Sequence, residues 1–137
     1  YRKGIHMTAT YSNVGTTSSV ALVTGGGRGI GRAIAVELAA SGHAIAVGAR
    51  TEAEIAEVAE AITVSGGVAR PVRIDITDEV SVHEAVAEVV ETLGAPTVVV
   101  NNAGLHMAGR FESFTADDWI SLYRVNLVGG NLIARSS

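Results

Sequence analysis

The chain has 137 residues, 47% of them hydrophobic, which is the length of one domain with enough apolar material for a sizeable core. Its 10 basic and 14 acidic residues give a formal net charge of −4 with no basic stripe, a balance that argues against nucleic acid or an anionic membrane surface as partner. Cysteine is absent, which excludes disulfides, thiol nucleophiles and thiolate metal sites.

Tyr1 to His6 followed by Met7 read as a tag remnant, and the polar stretch that follows has no periodicity. Residues 1–19 are therefore expected to be remnant and flexible leader, and 20–137 the folded unit. No apolar run approaches a membrane span and the start lacks the apolar stretch of a signal peptide, so the expected location is the cytoplasm, with no membrane partner.

Val20-Ala21-Leu22-Val23 reads as a short buried strand, and Ile30, Ile34 and Leu38 mark the stripe of the helix after it. Between them stands Thr24-Gly25-Gly26-Gly27-Arg28-Gly29-Ile30-Gly31. Glycines let backbone approach a ligand closely, and the first turn of a helix offers unpaired N–H groups and partial positive charge to an anion. Strand, glycine turn and helix together make a phosphate cradle, although the same pattern alone also describes an ordinary turn.

The rest keeps a βαβα rhythm. Ser41-Gly42 ends the first helix and Ala44–Gly48 is a second strand. Thr51-x-x-Glu54 has the form of a capping box for a helix with Ile55, Val58, Ala59 and Ile62 inward, stopped by Gly66-Gly67. Val68–Ile74 is the third strand. Thr77-Asp78 opens a helix with Val82, Val86, Val89 and Leu93 on its stripe, and Gly94-Ala95-Pro96 breaks it before a fourth strand at Thr97–Val100. Thr115-x-x-Asp118 caps a last helix whose apolar positions are Trp119, Leu122, Val125 and Ile133. Such alternation implies a parallel sheet with right-handed crossovers, and the expected order is 3-2-1-4 with a site where that order reverses. His43, His83 and His106 lack metal-like spacing, and no metal is assigned.

The turn does not carry the G-x-G-x-x-G spacing; it reads T-G-x-x-x-G-x-G. That variant resembles the signature of the short-chain dehydrogenase/reductase family. Asn101-Asn102-Ala103-Gly104, directly after Val98-Val99-Val100, is similar to the family's N-N-A-G motif, and Asn126 in Val125-Asn126-Leu127 matches its helix asparagine. The glycine turn looks most like that of 3-oxoacyl-carrier-protein reductase-like members. The resemblance covers about residues 20 to 137 and implies a Rossmann-type doubly wound sheet, here truncated before the fifth strand, in an oxidoreductase that reduces carbonyls or oxidises alcohols.

It also implies roles. The expected cofactor-binding residues are Gly25, Gly27, Arg28, Gly29, Ile30 and Gly31 in the turn, Arg50 and Thr51 after strand two, Asp75 and Ile76 after strand three, and Asn102, Ala103 and Gly104 after strand four. Asp75 would bond the adenine amino group, or cap the next helix; Ile76 would pack on the ring. Asn102 would lie along the ribose, or tie strand four to its neighbours. Asn126 would hold a water in the catalytic proton relay, or bond a backbone carbonyl. NADP(H) is the preferred cofactor, with NAD(H) possible. Arg28 and Arg50 could fork onto a 2′-phosphate, and uncharged Ala49 stands where NAD-preferring relatives carry an acid, leaving nothing to repel it.

The family also needs a serine, and a tyrosine with a lysine four positions on. The tyrosines are Tyr1, Tyr11 and Tyr123, the lysine is Lys3, and no Y-x-x-x-K occurs. The chain is thus expected to be the cofactor-binding half of an enzyme, inactive alone and a homo-oligomer when intact, acting on a small carbonyl or alcohol; the alternative is a non-catalytic dinucleotide-binding module.

Overall fold

The computed structural model describes residues 19–137. The expected remnant and leader, Ser19 apart, lie outside the described residues. Strands β1 (Val20–Thr24), β2 (Ala44–Ala49), β3 (Val68–Arg73) and β4 (Pro96–Val100) alternate with helices α1 (Gly29–Ala40), α2 (Glu52–Val64) and α3 (Glu79–Thr92). All pairings are parallel and the order is β3-β2-β1-β4, the expected Rossmann-type arrangement.

Successive strand residues point to opposite faces, so a central strand covered on both sides must be apolar throughout. In β1 every residue is buried. Val20 and Leu22 enter one layer with Ile74 and with Val82, Val86 and Val89 of α3. Ala21 and Val23 enter the other, with Ile45, Val47 and the Ile55, Val58 and Ile62 stripe of α2. The two apolar layers clamp β1 and β2, which fixes the carboxyl ends of these strands as a rigid rim.

Helix ends follow their local chemistry. Asp78 caps α3 by accepting from the N–H groups of Val80 at 2.9 Å and Ser81 at 3.4 Å. Gly42 ends α1 at φ 94°, a left-handed conformation that suits glycine. Pro71 lies on β3, an edge strand, where a missing N–H breaks no ladder. At β4 the register with β1 slips between Val20 and Ala21, next to Pro96, and the Thr97 hydroxyl donates to the Val20 carbonyl at 3.3 Å.

Two expectations about buried or capping residues need correction, at Thr51 and Ile30. Thr51 stands at the N-cap of α2 but its side chain makes no cap hydrogen bond, so the first capping box is not formed. Ile30 is 74% exposed, unlike Ile34 and Leu38 of the same stripe, because the first turn of α1 stands beyond the end of β1 with no sheet beneath it. In the last helix only Ile133 of the four expected apolar positions is buried; Trp119 is 43% exposed, edge-on to Phe114 and tilted against Phe111.

Beyond Tyr123 that helix changes pitch. α4 (Ala116–Tyr123) passes without a break into a π turn over Arg124–Gly129 and then into α5 (Gly130–Ser136). Each π turn inserts an extra residue, so a stripe counted at 3.6 residues per turn goes out of phase at Val125. The second capping box does form. The Asp118 carboxylate accepts from the Thr115 N–H at 2.8 Å, and the Thr115 hydroxyl oxygen accepts from the Asp118 N–H at 3.2 Å.

Candidate functional site

The glycine turn is anchored by a threonine. Thr24 is buried at the end of β1; its hydroxyl donates to the Val100 carbonyl at 3.2 Å and accepts from the N–H groups of Asn102 and Ala103, each at 3.1 Å. The Asn102 side-chain amide donates back to the carbonyls of Thr24 at 3.0 Å and Gly25 at 3.3 Å. These bonds join the first and fourth loops into one unit. Asn102 therefore does tie β4 to its neighbour, and its side-chain donor is spent on the turn. Thr24 was not among the expected site residues, since a threonine closing an apolar strand looks like one more strand residue.

Within the turn, Gly25 and Gly29 take φ of 65° and 54°, which disfavour any side chain. Gly31 is buried directly under the turn, where a Cβ would collide with the Gly25 carbonyl oxygen and the Asn102 amide. α1 can thus lie against the end of β1. The first helical bond is from Arg32 N–H to the Arg28 carbonyl at 3.2 Å, so the N–H groups of Gly29, Ile30 and Gly31 precede the ladder. An anion placed there meets donors and the positive end of a helix of 12 residues.

A cleft of about 650 Å³ opens at this rim. Gly25, Gly27, Arg28, Gly29 and Ile30 line it from the turn, Arg50 and Thr51 from the end of β2, Asp75 and Ile76 from the end of β3, and Asn102, Ala103 and Gly104 from the end of β4. Gly31 acts from beneath and does not line it. Ile76 is 7% exposed, its side chain packed in the core against Gly129. Asn126 lies outside the lining and reaches the cleft through Leu105: its carbonyl oxygen accepts from the Leu105 N–H at 2.7 Å, and its amide donates to the Leu105 carbonyl at 2.9 Å. The asparagine bonds a loop across the cleft mouth rather than its own helix.

Asp75 is both a lining residue and a turn former. Its Oδ1 accepts from the Thr77 N–H at 2.9 Å and the Thr77 hydroxyl at 2.8 Å. The Thr77 hydrogen bonds hold its carboxyl below the usual carboxylate range, with Arg50 and Arg73 adding smaller contributions against the opposing effect of partial burial. A depressed folded-state value means that the group stabilises the fold above about pH 4 and that this contribution is lost as pH falls through the lower folded value. The difference in urea midpoint between wild type and Asp75→Asn is therefore expected to be largest near neutrality and to shrink as pH falls below about 4. A gap that widened in acid would contradict this arrangement.

The charge in the cleft departs from expectation at one point. Arg28 and Arg50 line it and neither forms an ion pair among the described residues. Glu54 lines it too, with its Cβ 2.8 Å and its Oε2 3.2 Å from where a Cβ on Gly27 would stand. The idea that nothing there would repel a phosphate is thus corrected. Released from the unformed capping box, Glu54 leans onto the glycine turn. Arg124, in the π turn, also lines the cleft, and nothing in its sequence context marks it. No three His, Cys, Asp or Glu side chains among the described residues are grouped to hold a metal, and none of the helices they form is long and apolar enough to cross a membrane.

Known proteins carry the same pattern. The family model described as short chain dehydrogenase matches residues 19–136. The chain belongs to the short-chain dehydrogenase family. Versicolorin reductase 1 of Dothistroma septosporum is 38% identical over 119 residues, covering 86% of this chain and 45% of that protein. The short-chain reductase protein NovJ of Streptomyces niveus is 41% identical over 111 residues, 81% of this chain and 42% of that one. Among solved structures, a gluconate 5-dehydrogenase from Burkholderia cenocepacia, in complex with NADP and tartrate, superposes with a TM-score of 0.79 at 36% identity, covering 86% of this chain and 46% of its own. This short-chain dehydrogenase chain spans less than half the length of these relatives.

Proposed function

We propose that the chain is the cofactor-binding half of an NADP(H)-dependent oxidoreductase that reduces carbonyls or oxidises alcohols. The observation that carries this is the convergence of four loop ends, each with a family-matching residue, on one cleft where the strand order reverses. The residues present fit a dinucleotide: the turn at Gly25–Gly31 packs so closely that Gly25, Gly27 and Gly31 leave no room for side chains, and the first N–H groups of α1 precede the helical ladder at the cleft, where a pyrophosphate needs donors. NADP is the group named with the Burkholderia relative. When bound, the nicotinamide supplies the hydride.

The residues of this chain have defined tasks in that reading. Gly29 and Ile30 hold the pyrophosphate through backbone N–H groups, and Gly31 lets α1 close onto the turn from beneath. Arg50 and Arg28 hold a 2′-phosphate. Asp75, ionised and fixed by Thr77, presents its other oxygen, Oδ2, to the adenine amino group, with Ile76 flooring the pocket. Asn102 braces Ala103 and Gly104 beside the ribose. Asn126, within the π turn, clamps Leu105 and serves the proton relay by holding a water. The serine, tyrosine and lysine of the reaction belong to the remainder of the intact protein, which we also propose to be cytoplasmic and homo-oligomeric, a state that light scattering measures directly.

The test is an assay of the intact protein with NADPH and a panel of ketones. Turnover is expected, and Asn126→Ala should lower kcat by about 10- to 100-fold with cofactor affinity kept, because loss of its two bonds frees the Leu105 loop. The 137-residue chain alone is expected to bind cofactor without turnover. Cofactor binding by an intact protein inert towards every carbonyl and alcohol would favour the non-catalytic module.

A further inference from the structure

Glu54 is the one cleft-lining carboxylate besides Asp75, and no task above uses it. It sits in the first turn of α2, four residues beyond Arg50, with its side chain against Gly27, the neighbour of Arg28, and it lines the same cleft as both arginines. Helix capping does not account for that position, since the Thr51 cap bond is not made, and no hydrogen bond or ion pair among the described residues engages it. Gly27 is where its presence is felt: any side chain there would strike the Glu54 Cβ at 2.8 Å. The neighbouring carboxylates Glu52 and Glu57, by contrast, are paired with Arg73 and Arg32 outside the cleft.

We infer that Glu54 sets the cofactor selectivity of this site, opposing the 2′-phosphate that Arg28 and Arg50 attract and accepting from a free ribose hydroxyl. The inference rests on the dinucleotide reading above. A carboxylate and a phosphate of about −2 charge sharing one cleft repel, whereas a ribose hydroxyl gains an acceptor from the same oxygen. Both effects move selectivity in one direction. The two arginines give the site its affinity for the phosphorylated cofactor, and Glu54 limits the margin over the plain one. The pairing explains why a glycine turn followed by a free arginine after β2 need not give absolute preference for NADP(H).

The experiment measures binding by calorimetry, at low ionic strength, of adenosine 2′,5′-bisphosphate and of AMP to the intact protein and to its E54Q and E57Q variants. E54Q keeps the side-chain shape and removes the charge; E57Q removes the same charge outside the cleft. E54Q is expected to tighten the bisphosphate by roughly 5-fold or more, since a carboxylate near enough to accept from the ribose hydroxyl repels a doubly charged phosphate there by about 1 kcal/mol or more even in a water-like dielectric, with AMP unchanged or weaker. E57Q should leave both unchanged. Equal shifts for both ligands, equal shifts in both variants, or no shift in E54Q would overturn the role of Glu54 alone. If wild type bound neither nucleotide, the dinucleotide reading would fall and this inference with it. Should E54Q melt early, E54A read the same way replaces it, since alanine keeps the Cβ that lies against Gly27 and carries no charge.

Discussion

Gly31→Ala is expected to destabilise the protein by about 3 kcal/mol or more and to abolish cofactor binding. Two effects oppose each other at this site. Gly31 lies inside α1 with no unusual φ, so alanine gains about 1 kcal/mol of helix propensity. Against that, the new Cβ would overlap the Gly25 carbonyl oxygen and the Asn102 amide. Neither can yield cheaply. Gly25 belongs to a turn fixed by positive φ, and Asn102 is held by its bonds to Thr24 and Gly25. Inserting a methyl group against backbone costs roughly 1–3 kcal/mol in ordinary cores and more where the neighbours cannot move, so the steric cost wins. Gly29→Ala is the control. A Cβ there meets nothing within 4 Å, and only the φ of 54° opposes it, at about 1 kcal/mol. Denaturant midpoints of the two variants, read with binding of NADPH, check the ranking; a Gly31→Ala protein as stable as Gly29→Ala would mean that α1 does not press on the turn.

Much of this architecture is legible in the sequence because local and global preferences agree. β1 and β2 are short apolar runs between glycine punctuation, α2 and α3 carry clean 3.6-residue stripes, and each strand end is followed by a motif, so the sheet order and the rim of the cleft follow from the pattern of alternation. What the sequence hides is where one residue has two possible partners. Thr51-x-x-Glu54 and Thr115-x-x-Asp118 have the same capping form, yet only the second closes, because Glu54 has the glycine turn beside it and the shorter Asp118 faces only its own helix end. Asn102 and Asn126 were recognisable as special, but their acceptors and donors lie 77 to 78 and 21 residues away. Spacing carries no information about such partners. The π turn is hidden for a different reason: the Val, Asn and Gly residues through Arg124–Gly129 lower helix propensity, but a weak helical run does not say that the pitch widens there.

Arg50→Ala is expected to weaken NADPH binding by about 10- to 150-fold and to leave NADH binding almost unchanged. The two cofactors differ by one phosphate of about −2 charge, so a residue that acts on that group alone must act on one cofactor alone. Arg50 leaves the end of β2 on the exposed rim of the cleft, beside half-buried, uncharged Ala49. It forms no ion pair among the described residues, and its attraction to Asp75 is a minor cause of that group's shift, so the guanidinium is available to a ligand. A hydrogen bond to a charged group contributes roughly 1.5–3 kcal/mol, and at 1.36 kcal/mol per tenfold change that range gives the expected factor. Arg28 sits across the turn and also carries a free guanidinium, but it stands at the N-cap of α1, where part of its effect falls on the pyrophosphate common to both cofactors. Arg28→Ala should therefore weaken both, NADPH more. Fluorescence titrations of each cofactor against wild type and the two variants separate the roles. Equal loss for both cofactors in Arg50→Ala would show that Arg50 acts on a group common to both, and tighter binding of NADH than NADPH by wild type would show that the 2′-phosphate is repelled more than it is attracted; either outcome would overturn the role given to the turn after β2.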